Sequence, residues 1–239
     1  MTALGFLYPG HGAEDDYPRL EQLLGSDIRL DLVHTTGGDG PPGVAALRAS
    51  GAPERLAHGV DELRLAGAEA VVWASAGGSF VYGWEGAHEQ VRALAVAAGT
   101  PASSTSFAFV HAVREVGARR VAVAAPYDEE TAALFAEFLR AGGVEVTGVR
   151  AGGPGAAGPD GAGLIDMARA ADRPDAEAVL IPDTGLRTVS RLPALEEALA
   201  KPVLTANQVT AWEALRLTDR RINAPALGTL FTREPIVQV

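Results

Sequence analysis

Two stretches of the sequence bring reactive side chains to the end of an apolar run. The first, Val71-Val72-Trp73-Ala74-Ser75-Ala76-Gly77-Gly78-Ser79-Phe80, breaks from a buried-strand pattern into small residues and glycine before a helix-like segment. The second, Ala178-Val179-Leu180-Ile181-Pro182-Asp183-Thr184-Gly185-Leu186-Arg187-Thr188, repeats that grammar with a carboxylate where the first has the Ser75 hydroxyl. A strand that ends in such a turn leaves backbone N–H groups pointing outward, and amides so arranged hold a carboxylate or phosphate. Ala76 and Gly77 on one side, and Thr184 and Gly185 on the other, are therefore candidate substrate-binding residues. Asp183, set between apolar strands, is disfavoured as an anion, which moves its pKa up toward the range of general acid/base catalysis. The same Asp183-Thr184-Gly185 run also fits helix N-capping. A third reactive group, His11 in Pro9-Gly10-His11-Gly12, ends the first strand; it either borders the same cleft, where it can activate Ser75, or bonds loop backbone. His34, at the end of the next strand, fits a backbone bond better.

The elements that must position these groups alternate along the chain. Leu4–Tyr8 and Ile28–Val33 read as strands, and Gly43 to Ala66 carries apolar residues at helical spacing, broken at Pro53. A helix from about Glu85 to Ala98 comes after the first central turn. Gly99–Ser106 is a short extended segment rich in hydroxyls, and it leads into a helix over Phe107–Val116. The series restarts with a strand at Val121–Ala125, the Pro126-Tyr127-Asp128 turn, a helix over Thr131–Ala141 and a strand over Val144–Arg150. A glycine-rich loop over 151–159 and short helices over Leu164–Ala171 and Pro193–Leu199 flank the second central strand. Lys201-Pro202-Val203-Leu204-Thr205-Ala206-Asn207-Gln208 then repeats the segment around Pro101, and the helices after the two segments align. An internal duplication of this kind predicts two similar α/β lobes facing a cleft. The first lobe is expected over 1–115, completed by 212–239, and the second over 116–211. The turns at Pro9, Ser75, Tyr127 and Asp183 are expected to meet there, because ligands of parallel sheets bind at the strands' C-terminal ends.

Composition narrows the chemistry. The 239 residues hold no cysteine, which excludes disulfides, thiolate metal sites and cysteine nucleophiles. Twenty basic against thirty acidic residues give a net charge of −10, and the arginines are scattered, so neither nucleic acid nor an anionic membrane is an expected partner. No apolar stretch reaches the length of a membrane span, and Met1–Pro9 lacks the pattern of a signal peptide. A soluble, cytoplasmic protein is expected. A dinucleotide-binding turn needs a third glycine that Pro9-Gly10-His11-Gly12 lacks.

Taken in order, these pieces resemble the aspartate/glutamate racemase superfamily, and within it the maleate isomerase and arylmalonate decarboxylase branch. The resemblance rests on Trp73–Phe80, Ala125-Pro126-Tyr127, Ile181–Thr188, Lys201–Gln208 and Gly228-Thr229-Leu230-Phe231. It implies two pseudo-symmetric Rossmann-like lobes, no metal or organic cofactor, and proton transfer at the carbon next to a carboxylate. It also implies that Tyr127 joins Ser75 and Thr184 in offering hydroxyls to a small carboxylic-acid substrate. The chain departs from the family at both central turns, where the family's thiols correspond to Ser75 and Asp183. An alcohol without an adjacent base cannot replace a thiol of pKa near 8.5, so two-thiol racemisation and thiol addition to a double bond are both excluded. The expected activity is a lyase or isomerase, by decarboxylation or by double-bond or keto–enol isomerisation, with Asp183 as the single acid/base. The alternative is a carboxylate-binding protein without turnover. Either reading leaves room for a homo-oligomer.

Overall fold

A computed structural model describes residues 1–10, 12–35, 43–153, 155–158 and 162–232. Its strands form two four-stranded parallel sheets. The first contains β1 (Thr2–Pro9), β2 (Ile28–Thr35), β3 (Ala70–Trp73) and β4 (Ala102–Ser104), in the order β2-β1-β3-β4. The second contains β5 (Arg120–Ala125), β6 (Glu145–Ala151), β7 (Ala178–Ile181) and β8 (Val203–Thr205), in the order β6-β5-β7-β8. Order and orientation are the same in both, so the duplication inferred around Pro101 and Pro202 is a duplication of architecture. The extended segments after those prolines are the fourth strand of each sheet. The central strands β3 and β7 are buried along their whole length, which is why they read as unbroken apolar runs.

Helices complete the layers. In the first half these are α1 (Asp16–Leu24), α2 (Val44–Ser50), α3 (Pro53–Leu65), the single turn α4 (Gly77–Phe80), α5 (Gly83–Ala98) and α6 (Thr105–Glu115). The second half has α7 (Glu129–Ala141), α8 (Leu164–Ala171), α9 (Leu192–Leu199) and α10 (Ala206–Leu217). Pro53 opens α3, so the break expected there separates α2 from α3, in keeping with the tolerance of a first helical turn for proline. Trp84 packs against the rings of Phe107 and Phe138, at centroid distances of 5.2 and 5.1 Å, so it serves the core.

The two halves are joined by α6 and α10, which pack against each other. Ser104 caps α6 by accepting from the Phe107 amide, and Thr205 caps α10 in a capping box with Gln208. Across this joint the Thr105 and Thr210 hydroxyls lie 2.7 Å apart. Glu213, with no exposed surface, accepts from Ser103 Oγ at 2.6 Å, from Arg216 Nε and Nη2 at 2.8 Å each, and lies 3.0 Å from His111 Nδ1. Burial pushes this carboxyl up, but Arg216 and His111 outweigh it and hold the carboxyl at about 2. Among the described residues no helix is long and apolar enough to cross a membrane.

Candidate active site

The C-terminal ends of β1, β3, β5 and β7 open into one cleft of about 470 Å³. Pro9, Ser75, Tyr127 and Asp183 all line it, so the four turns meet as expected. Its volume falls within the range of small-molecule sites. Ala76, Gly77, Thr184 and Gly185 are not lining residues; they stand one or two positions behind Ser75 and Asp183. His11, and the loop after His34 from Thr36 onward, lie outside the described residues. His34 itself is at the end of β2, with Nδ1 2.7 Å from the Gly10 carbonyl, which is the backbone role anticipated for it.

The first central turn is a short helical turn. Ser75 Oγ accepts from the Gly78 N–H at 3.0 Å, leaving the hydroxyl hydrogen for a second partner. No hydrogen bond to another described residue engages the Ala76 or Gly77 amide. A Cβ at Gly77 would meet Leu47 Cδ2 at 2.6 Å, so a side chain there requires Leu47 to move. Leu47, on α2, lines the cleft with Ala46 and Ser50 and gives it an apolar wall. The part of this helix in the cleft was visible in sequence only as apolar spacing.

The second turn differs in kind. Asp183 does not cap an α-helix; its Oδ1 accepts from the Gly185 N–H at 2.8 Å, closing an Asx turn after β7. Helix capping required regular helix right after Asp183, whereas the chain here continues through a 3-10 turn at Val189–Arg191 before α9. Burial raises the Asp183 pKa, and the Gly185 amide opposes part of that rise. Tyr127 hydrogen-bonds the Pro182 carbonyl through its hydroxyl. Its own pKa is driven up by burial, with a further push from the Asp183 charge.

A hydrogen-bond set that spans the two halves holds this turn in place. The Thr184 carbonyl accepts from Tyr8 Oη at 2.8 Å and from Asn207 Nδ2 at 3.2 Å. Asp16, buried at the start of α1, accepts from the Thr188 amide at 2.9 Å, the Val189 amide at 3.3 Å and Asn207 Nδ2 at 3.0 Å. Burial raises the Asp16 carboxyl, and those three donors pull it back. The Gly12 and Gly185 backbones approach so closely that a Cβ on Gly12 would lie 3.1 Å from Gly185 Cα. Asp16 and Asn207 were not identifiable as site residues from sequence. Asp16 reads there as one of several acids at a helix start, and its reach to β7's turn is a tertiary fact.

A model of the arylmalonate decarboxylase family matches residues 50–231. The chain belongs to this family. An arylmalonate decarboxylase of Bordetella bronchiseptica is 32% identical over 146 residues, covering 58% of this chain and 61% of that protein. A maleate isomerase of Geobacillus stearothermophilus is 26% identical over 144 residues, 55% of each. The chain thus spans 61% and 55% of the length of these two relatives. Among solved structures, an arylmalonate decarboxylase superposes with a TM-score of 0.80 at 26% identity, over 97% of this chain and all of that one. A maleate isomerase from Pseudomonas putida S16 with maleate gives 0.84 at 20% identity, over 97% of each, which is a likeness of fold. The family and the α/β architecture are those anticipated from the turns, and both relatives are enzymes of the lyase and isomerase classes.

Proposed function

We propose that the protein is a cofactor-independent lyase or isomerase acting at the carbon next to a carboxylate, with Asp183 as its single proton-transfer group. The observation that carries this reading is the Asp183 carboxyl itself: it lines the same cleft as Ser75 and is made more basic by burial. An acid/base group works best when its pKa lies near the working pH, and an unperturbed aspartate lies well below it. The substrate's carboxylate is assigned to the Ser75 turn, where the Ala76 and Gly77 amides and the Ser75 hydroxyl are its donors. An enolate-like intermediate formed there keeps those donors, which match its growing oxygen charge. We assign Ser75 and Asp183 to the positions of the family's thiols. Gly12 approaches the Asp183 turn at Gly185, and its neighbour His11, outside the described residues, is the reserve candidate for base.

A second reading, a carboxylate-binding protein without turnover, draws on two donors already committed inside the protein, the Tyr127 hydroxyl and the Gly185 amide. One experiment separates the two. Wild type and Asp183→Asn are incubated in D2O with phenylmalonate, phenylacetate and crotonate, and carbon-bound deuterium and product are followed by NMR, with thermal protection measured in parallel. Deuterium incorporation or product from wild type alone, with protection kept in the variant, supports catalysis through Asp183. Turnover that survives Asp183→Asn moves the base to another residue. Protection without turnover in either protein leaves the binding role.

A further inference from the structure

The two turns that face each other across the cleft do not offer equivalent anion sites. At the second, the Gly185 amide is taken by Asp183 Oδ1 at 2.8 Å and the Tyr127 hydroxyl by the Pro182 carbonyl. That turn brings Asp183 and Leu186 to the cleft, and of its two candidate amides only that of Thr184 has no hydrogen bond to another described residue. The charged groups among the described lining residues are Asp183 and Asp128; no lysine or arginine lines the cleft to offset them. Asp128 is itself committed as the cap of α7, accepting from the Thr131 amide at 2.8 Å, and that bond holds its carboxyl below the usual range, so it stays anionic. Much of the remaining wall is apolar, with Ala46, Leu47, Pro126 and Leu186.

We propose that Asp183 occupies the anion position of the second turn, so that the site selects acids with a single carboxylate and an apolar remainder over dicarboxylates. The proposal rests on the reading that a carboxylate is held at the Ser75 turn, and it narrows the chemistry of that reading. A second carboxylate beside Asp183 and Asp128 meets no lysine or arginine among the described lining residues to neutralise it, at a cost that grows as the surroundings dry. An apolar group in the same place loses nothing.

The consequence is a proton shift within one molecule. The Asp183 carboxylate removes a proton from the carbon next to the bound carboxylate: the C–H bond breaks, an O–H bond forms on Asp183, and the electron pair moves into the conjugated system toward the carboxylate oxygens. The same O–H then breaks as the proton is returned to a different carbon, displacing the double bond. Nothing is oxidised, nothing leaves, and Asp183 ends ionised as it began. Double-bond and keto–enol isomerisation need only one carboxylate. Loss of carbon dioxide needs a second, because the first must remain to hold the enolate charge.

The test is a comparison of matched probes on the intact protein. Binding of phenylacetate against phenylmalonate, and of butyrate against succinate, is measured by calorimetry and thermal shift at pH 8. Wild type is expected to bind each monoanion about tenfold or more tightly than its dianion partner, the direction that like charges impose. In Asp183→Asn the ratio is expected to shrink severalfold, because the amide keeps the shape without the charge. Dianions binding as tightly as monoanions in wild type, or a ratio that Asp183→Asn leaves unchanged, overturns the selectivity while leaving a carboxylate site in place. If no probe of either class binds, the carboxylate site at the Ser75 turn falls, and the selectivity argument with it.

Discussion

Replacing Glu213 by glutamine tests whether the two halves are joined as the structure describes. The carboxyl is buried at the packing of α6 on α10 and takes hydrogen bonds from Ser103 and Arg216, with His111 beside it. It is held at about 2, against 4.5 for a free glutamate. At about 1.36 kcal/mol per pKa unit this corresponds to about 3 kcal/mol of stability at neutral pH. The sign comes from the direction: a carboxyl depressed in the folded state contributes above its unfolded value and loses that contribution as pH falls through the folded one. The contribution is therefore full at pH 6 and above, and falls to roughly half by pH 3. Glutamine keeps an acceptor oxygen, but Arg216 and His111 are left facing a neutral group. At about 2 to 4 °C per kcal/mol for a chain of this size, Glu213→Gln should lower Tm by about 6 to 12 °C at pH 7. Thermal and urea unfolding of both proteins at pH 7, 5 and 3.5 measure it. A variant within 1 °C of wild type at pH 7, or a gap that widens as pH falls, refutes the assignment of a net stabilising charge at the joint.

The remaining predictions concern the cleft. Asp183→Asn should raise Tm by a few degrees at pH 8 and leave it unchanged at pH 4; a carboxyl whose pKa is raised by burial gives its stability at low pH and loses it as pH climbs through the raised value, and the amide has no charge to bury. Thermal scans across that range show whether the gap opens in that direction. Ser75→Ala removes the acceptor of the Gly78 amide and should cost about 1 kcal/mol in urea unfolding; the loss in turnover should be smaller than for Asp183→Asn. Gly77→Ala places a Cβ 2.6 Å from Leu47 Cδ2 and should push that side chain into the cleft, weakening protection by phenylacetate severalfold at a stability cost of about 1 kcal/mol. Unchanged protection would show that Leu47 yields away from the ligand.

Much of the architecture was legible because glycine and proline punctuate it. Pro53, Pro101 and Pro202 each mark an element start, and the buried central strands announce themselves as apolar runs ending in small residues. That Ser75 and Asp183 line the cleft was legible for the same reason, since each closely follows such a run, whereas Tyr127 was offered as a binding residue through the resemblance to the family. The parts that escaped are those whose meaning lies in a partner distant in sequence. Glu213 is one of several polar residues in a helix that is buried over most of its length, and only the approach of α6 explains a carboxylate there. Asp16 and Asn207 are separated by most of the chain, yet they share one hydrogen bond. The Asx turn at Asp183 escaped because Asp-Thr-Gly serves either a helix cap or a turn, and the choice between them is made by the backbone beyond Thr188.

The duplicated scaffold explains how one turn could diverge without loosening the other. In both halves the residue two positions beyond the cap of the joint helix reaches back to the carbonyl just after the central residue: Ser106 Oγ donates to Ala76 at 2.8 Å, and Asn207 Nδ2 to Thr184 at 3.2 Å. The caps themselves repeat a second contact, Ser79 with Ser104 at 2.9 Å and Thr188 with Thr205 at 3.0 Å. The two central turns are thus fixed from behind by the same device, whatever side chain they present to the cleft. The difference lies in reach. Serine satisfies one carbonyl, whereas the longer asparagine also meets the Leu186 carbonyl at 3.3 Å and the Asp16 carboxylate at 3.0 Å, tying the Asp183 turn to the opposite half. A turn held at this many points keeps the half-buried Asp183 carboxyl in the cleft despite its desolvation, because the backbone cannot swing it out to water without breaking those bonds. On the Ser75 side, Ser106 meets the Ala76 carbonyl alone, and the Ala76 and Gly77 amides have no hydrogen bond to another described residue.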